Sequence, residues 1–344
     1  SSLYAILEMG REMLPSGYLL QAKEAELISS FKNEGLSGEQ LHDSKKFAQA
    51  IVKAILQYAA ADGYNKISTY TYYQPKTLPG YWLPTPPAYF GAVGAYWNTL
   101  RPFFLDSAAE FKPIRPAPYS VDTGAVFYKL AMEVYNTIDH LTPAQKEIAA
   151  FWDCNPFAIQ YDGHMMIGLK KITPGGHWMG IAGEAANKAG LNFSKAMEAQ
   201  TLTAIVLNDA FISCWDEKYR SQRIRPETYI NKHIDDKWRP LLQTPPFPEY
   251  SSGHATISTA AAGVLTYLFG DNFSFSDSTE LYFGLPVRNF SSFNQASVEA
   301  GISRLYGGIH FHDSINVGYV QGKKVADLLI EKLKAAGITP LVQY

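Results

Sequence analysis

Two cysteines are all that the 344 residues contain, and one pair, Cys154 and Cys214, builds neither a disulfide framework nor a cysteine-rich zinc cluster. Both are expected as buried free thiols. Charge of one sign is lacking too. Thirty Lys and Arg stand against 32 Asp and Glu, a net charge of −2, which argues against nucleic acid as a partner, since its phosphate backbone needs a basic surface. No run of about 18 consecutive apolar residues occurs, so no transmembrane helix is expected. The segment Ala255 to Phe269 is too short and too rich in Ser and Thr. Internal repeats and low-complexity tracts are also missing. With 47% hydrophobic residues, the chain can still bury a large core. It begins Ser1-Ser2-Leu3 without Met, as expected of a removed targeting segment or a trimmed chain.

Most of that core reads as helical, and one mainly helical domain over 1–344 is expected. Residues Ala22 to Gly63 show helical periodicity, with Ala25, Leu27, Ile28 and Phe31 in one run and Phe47, Ile51, Ile55 and Tyr58 in the next. From about Thr69 to Tyr119 Pro and Tyr crowd together, which rules out a long helix. The aromatics there favour an ordered excursion packed on the helices over a disordered linker. Helices are expected again at Ser120–Leu141, Pro143–Trp152, Gly180–Lys188 and Ser194–Arg225. A last one starts at His310, with Ile315, Gly318 or Tyr319, Gly322, Val325, Leu329 and Leu333 as its buried stripe. Asp162-Gly-His164 reads as a turn.

The chemistry concentrates between Lys218 and His310. Lys218 and Arg225 are seven residues apart, nearly superposed on a helix face, so both could reach one anion; alone, such a pair is usually a solvated face. Ser251-Ser252-Gly253-His254 feeds the start of a helix, where free N–H groups and the dipole suit an oxyanion. Gly253 permits close approach, Ser252 adds a hydroxyl, and His254 can move a proton near neutral pH. By itself the Ser-Gly pair would be only a cap. Arg304 precedes His310 across Gly307-Gly308, and its guanidinium offers planar recognition of oxyanions. A metal site at His310-Phe-His312-Asp313 is not favoured, because ligands at i and i+2 on a helix diverge.

Taken together, Lys218, Arg225-Pro226, Ser252-Gly253-His254, Ser303-Arg304 and His310 resemble the signature of the superfamily uniting vanadium-dependent haloperoxidases, type 2 phosphatidic acid phosphatases and bacterial class A acid phosphatases. That pattern is Lys, six residues, Arg-Pro; then Pro-Ser-Gly-His; then Ser-Arg, five residues, His, three residues, Asp. Trp215-Asp-Glu-Lys218, Phe247-Pro-Glu-Tyr250 and Pro174-Gly-Gly-His177-Trp178 look like the soluble, haloperoxidase-related branch. The signature lies in the last part of the chain, and the wider likeness reaches back to about Arg101. Two positions depart from it. Ser251 stands in place of Pro, which is expected to loosen the loop. Ser314 stands in place of the Asp that orients the second histidine, with Asp313 one position earlier, a rotation of about 100° on a helix.

The resemblance implies an all-α helix-bundle fold like that of vanadium chloroperoxidase and class A acid phosphatases, with an anion pocket at the end of a bundle. It implies that Lys218, Arg225, Ser252, Gly253 and Arg304 hold the equatorial oxygens of vanadate or phosphate. His254 would handle protons, and His310 would be the axial vanadate ligand, or in a phosphatase the nucleophile that becomes a phosphohistidine. Asp313, Trp215, Phe247 and His177 are candidates for the surrounding shell. Three functions follow. The first is halide oxidation by hydrogen peroxide with vanadate as cofactor. The second is a soluble acid phosphatase that needs none, and the third is a non-catalytic oxyanion-binding protein. Phe247, where algal bromoperoxidases carry a histidine, leans towards the chloroperoxidase-like type. The partners expected are small molecules, peroxide and halide or a phosphate ester, and soluble relatives suggest a secreted or periplasmic location.

Overall fold

The structure, a computed structural model, describes residues 1–169 and 171–342. Its internal contacts cluster into two compact units, Ser1–Tyr70 and Thr71–Tyr344, where the sequence reading keeps 1–344 together.

The first unit contains α1 (Ser2–Met13), α2 (Leu20–Asn33), α3 (Gly38–Ala60) and the single turn α4 (Tyr64–Ile67). Ser37 starts α3 with a capping box to Gln40, satisfying two N–H groups that a helix start would otherwise leave open. The face that α3 buries carries the small Ala48 and Val52, whereas Phe47, Ile51, Ile55 and Tyr58 are exposed. The stripe that periodicity singles out is therefore not the buried one.

The second unit opens with residues 71–125, which contain no α-helix and only one 3-10 turn, Trp97–Thr99. Its helices are α5 (Val126–Asp139), α6 (Pro143–Phe151), α7 (Pro174–Lys188), α8 (Phe193–Ser221), α9 (Pro226–His233), α10 (Gly253–Phe269), α11 (Phe293–Tyr306) and α12 (His312–Ala335). Two small antiparallel hairpins interrupt them. One pairs β1 (Ile159–Asp162) with β2 (Met165–Gly168) across Asp162-Gly163-His164, where Gly163 takes the left-handed conformation that the turn needs. The other pairs β3 (Phe275–Asp277) with β4 (Arg288–Phe290).

Helix α10 sits at the centre, packed against α7, α8, α11 and α12. Its Ala255, Ile257, Ala261, Leu265 and Leu268 are buried on different faces, as expected of a helix that is apolar all round. The expected stripe of α12, Ile315, Gly318, Gly322, Val325, Leu329 and Leu333, is buried. Two of its members are glycines because α12 lies against the backbone of α10. A Cβ at Gly322 would stand 2.1 Å from the Thr256 carbonyl oxygen, and one at Gly318 would stand 2.9 Å from that of Ser252.

Helix α8 ends sooner than expected. Gln222 adopts φ 50, a left-handed cap, and Arg225 is extended because Pro226 follows it at the first position of α9. Residues 222–224 instead bond to the excursion, Gln222 accepting from Trp82 N–H and Ile224 donating to the Gly80 carbonyl. Lys218 and Arg225 thus do not share a helix face, and Arg225 arrives from the start of the next helix. Asp209 of α8 fastens the excursion by accepting the N–H groups of Phe103, Phe104 and Leu105 at 2.8, 2.7 and 3.2 Å. Among the described residues, no helix is long and apolar enough to cross a membrane.

Candidate active site

A cavity of about 250 Å³ opens between the start of α10 and the excursion, with His254, Arg304, His310 and Gly253 in its wall. Trp97, Phe211, Trp215 and Phe247 give it an aromatic side. Trp215 stacks on Phe211 with ring centroids 3.6 Å apart and meets Phe247 at 5.0 Å, so the aromatic wall is itself packed.

Behind the wall lie Lys218 and Arg225, both fully buried. Lys218 Nζ donates to the carbonyls of Pro248, Glu249 and Ser251 at 3.1, 3.0 and 2.6 Å. An ammonium has three donors, so Lys218 knots the loop before α10 and, contrary to the sequence expectation, has none left for an anion in the cavity. Burial pushes this ammonium down to about 7. Arg225 donates through Nε to the Phe247 carbonyl at 2.9 Å and through Nη1 to the Ile309 carbonyl at 2.8 Å. Its Nη1 also lies 3.1 Å from His310 Nε2, and its Nη2 is enclosed without a partner. Burial lowers this guanidinium to about 10, still charged at neutral pH.

Ser252 is the N-cap of α10, its Oγ accepting from Ala255 N–H. The expected loosening at Ser251 is not found. Ser251 is buried, its Oγ donates to Gln321 Oε1 at 2.6 Å, and its carbonyl takes a bond from Lys218. Gly253 opens the helix, and a Cβ there would meet Trp215 only at 3.5 Å, ordinary contact. Protein packing does not require glycine at this place.

His254 is half-buried, and its Nε2 is enclosed with no hydrogen-bond partner. Burial, then the Arg304 cation and His310, hold its pKa well below the usual value, while a hydrogen bond to the Trp152 backbone acts in the opposite sense. Arg304 donates to the Trp152 carbonyl at 2.5 Å and to Ser303 Oγ at 2.9 Å, so one backbone carbonyl steadies both pocket groups. The Trp152 ring stacks on His177 at 4.5 Å.

His177 is fully buried, outside the cavity wall. Its Nε2 lies 2.7 Å from Asp277 Oδ2, and its Nδ1 lies 3.4 Å from Cys154 Sγ and 3.3 Å from Glu280 Oε1. Burial alone would lower its pKa, but the Asp277 hydrogen bond, then Cys154 and Glu280, raise it to about 12. His177 therefore stands behind Trp152 and the cavity-lining Cys154. Cys154 and Cys214 are free and buried, as expected.

His310 Nδ1 lies 2.8 Å from Glu249 Oε1 and 3.4 Å from Ser314 Oγ. Burial, followed by Arg225 and Lys218, holds this imidazole well below its usual pKa. Asp313 does not reach it; Asp313 Oδ1 accepts from Arg223 Nη1 at 2.8 Å, and the same nitrogen is 3.3 Å from Glu249 Oε2. His312 turns away to Glu133 at 2.7 Å. Glu249, Arg223 and the Trp152 carbonyl escape sequence reasoning. The one available signal was an acid inside the otherwise apolar Phe247-Pro248-Glu249-Tyr250 run.

The residues present fit a tetrahedral oxyanion. Arg225 Nη2 and His254 Nε2 are enclosed polar atoms without partners, and such atoms cost free energy unless something bonds to them. Gly253 leaves room beside a helix start. Arg225, Arg304, Gly253 and Ser252 would hold such an anion, with His310 beside it.

The family model of the VCPO second helical-bundle domain matches residues 198–336, the stretch that contains every site residue from Trp215 to Ser314. Among solved structures, one described as the first bacterial vanadium-dependent iodoperoxidase is similar at 45% identity, over 96% of this chain and 78% of its own, with a TM-score of 0.89. Holo-type and apo-type bacterial vanadium-dependent chloroperoxidases are similar at 16% identity with a TM-score of 0.74, over 97% and 96% of this chain and 82% and 84% of theirs. At that identity the likeness is one of fold. Among curated proteins no match is found.

Proposed function

The chain belongs to the vanadium-dependent haloperoxidase superfamily and is an enzyme of that kind, and from this premise we propose that its pocket takes vanadate and oxidises iodide with hydrogen peroxide. The observation that carries the reading is the convergence on one cavity of His310, a partnerless His254 Nε2 and, behind them, a partnerless Arg225 Nη2. When bound, vanadate supplies a Lewis-acidic centre that activates peroxide towards attack by halide.

The residues supply everything else. Arg225 and Arg304 offset negative charge with fixed guanidinium groups in a buried setting, where such interactions are worth more than in water. Lys218 holds the loop 248–251 by the carbonyls of Pro248, Glu249 and Ser251. His254 is neutral in the free protein and has an open Nε2, so it can accept a proton from peroxide and return it to the departing oxygen. The aromatic wall of Trp97, Phe211, Trp215 and Phe247 excludes water from the reacting atoms. Iodide is the halide best supported. The 45% identical relative is an iodoperoxidase, and a polarisable, weakly hydrated anion is the least costly to bring against aromatic rings.

The test is to incubate metal-free protein with vanadate, add peroxide and iodide, and follow triiodide, with a chromogenic phosphate ester in a parallel arm. Vanadate-dependent triiodide formation is expected. Phosphate-ester hydrolysis without any vanadate-dependent oxidation would replace this reading with that of a phosphatase.

A further inference from the structure

We propose that Glu249 is the positioning residue for His310, doing from the loop before α10 what the superfamily pattern assigns to an aspartate at position 314. The proposal rests on the reading of the pocket given above and concerns how its axial histidine is held.

Three observations carry it. First, Glu249 is fully buried, and its Oε1 accepts from two consecutive residues, His310 Nδ1 at 2.8 Å and Phe311 N–H at 3.1 Å. The second is that Ser314 Oγ, at the position of the missing aspartate, lies 3.4 Å from the same Nδ1. Positions 249 and 314 therefore approach one nitrogen from different elements, and only 249 carries a carboxylate. The third is the far side of that carboxylate. Its Oε2 lies 3.3 Å from Arg223 Nη1, which in turn holds Asp313. Asp313, the acid adjacent in sequence, is thus separated from the imidazole by two residues, Arg223 and Glu249.

The neighbours also settle the tautomer. An ionised carboxylate can only accept, and a guanidinium can only donate. Glu249 at Nδ1 and Arg225 Nη1 at Nε2, 3.1 Å away, both require the proton on Nδ1 and a bare lone pair on Nε2. That lone pair is what a ligating histidine would present, and a carboxylate on the opposite nitrogen fixes the ring and makes the lone pair more basic. Lys218 completes the support by bonding the Glu249 carbonyl at 3.0 Å.

The experiment uses the full chain and its Glu249→Ala, Glu249→Gln and Glu249→Ala/Ser314→Asp variants, with vanadate affinity measured by equilibrium titration. Loss of such an outer partner typically weakens a metal site by about ten- to a hundredfold. Glu249→Ala is expected to show that loss, and the double variant to regain most of it, since a new carboxylate then reaches Nδ1 from position 314. A merely structural role for Glu249 would give no such rescue. Affinity unchanged in Glu249→Ala, or lost in it with nothing regained in the double variant, overturns the proposal. Nitrogen NMR of histidine-labelled protein gives an independent reading. His310 should be protonated at Nδ1 in the wild type, and this preference should weaken in the near-isosteric Glu249→Gln. A wild-type chain that bound no vanadate yet showed this tautomer and its loss would sink the functional reading and leave the assignment of Glu249 standing. An Nε2-protonated His310 in the wild type would sink the assignment.

Discussion

The two pocket histidines differ in what surrounds them. His310 is held at Nδ1 by Glu249 and keeps an unprotonated Nε2 towards Arg225, whereas His254 keeps an enclosed Nε2 with no partner. The first arrangement suits a ligand, the second a group that exchanges protons. His310→Ala should therefore release vanadate, while His254→Ala should still bind it and turn over more slowly, by roughly 10² to 10⁴ for a general acid or base. Vanadate affinity measured beside triiodide formation decides; a His254 variant that lost the anion while the His310 variant kept both properties would reverse the assignment. Lys218 makes a different kind of statement. Its pKa of about 7 lies below the ordinary 10.5, so between those values the unfolded chain binds more protons and stability rises with pH. Relative to Lys218→Met, the wild type should gain stability as pH climbs from about 7 towards 10, measured by denaturant unfolding at each pH. An unchanging difference would mean that the ammonium is not desolvated as the structure has it.

The start of α10 carries Ser252, Gly253 and His254, so what positions α10 positions the site. Its neighbour α12 approaches through Gly318 and Gly322, and a Cβ at Gly322 would fall 2.1 Å from the Thr256 carbonyl. Backbone cannot yield there as a flexible side chain would. Gly322→Ala should lower stability by roughly 1–3 kcal/mol through overpacking, despite the better helix propensity of Ala, and should weaken vanadate binding. Gly38→Ala, where nothing lies within 4 Å, is the control. A Gly322→Ala protein with wild-type melting temperature and affinity would show that the close approach is unimportant. The stripe of α12 was legible in the sequence because apolar period and burial coincide along it. The stripe of α3 misled, since Phe47, Ile51, Ile55 and Tyr58 are exposed beside the buried Ala48 and Val52. Periodicity reports where apolar residues are, not which face finds a neighbour. The shared helix for Lys218 and Arg225 failed for a local reason, the left-handed Gln222, a conformation uncommon for non-glycine residues. The site motifs were legible as residue types at fixed spacing. Glu249 was not, because its partners lie in segments far along the chain, and such a contact leaves no periodic trace.

Across the whole molecule the net charge is −2, so attraction of an oxyanion comes from the local field and not from the surface at large. That field is concentrated in the interior, where Lys218, Arg223, Arg225 and Arg304 are all buried, with Glu249 and Glu227 acting on Arg225 and Asp153 on Arg304. Buried cations are costly, and a bound anion stabilises them. The free protein should then be stabilised by vanadate and by phosphate, the two should compete for one site, and phosphate should slow vanadate-dependent activity. The pH dependence has a definite sign. His254 and His310 have pKa values held well below 6.5 by burial and by neighbouring cations. As pH falls through 6.5 the unfolded chain takes up protons that the folded imidazoles resist, so the free protein loses stability towards acid. A negative ligand beside the imidazoles lets them hold protons, so the loss between about pH 7 and 5 should shrink in saturating phosphate. Melting temperatures measured with and without phosphate across that range read this directly, because every carboxylate outside the pocket contributes equally to both curves. Parallel curves would place phosphate away from the histidines, and additive stabilisation by phosphate and vanadate would mean two separate sites.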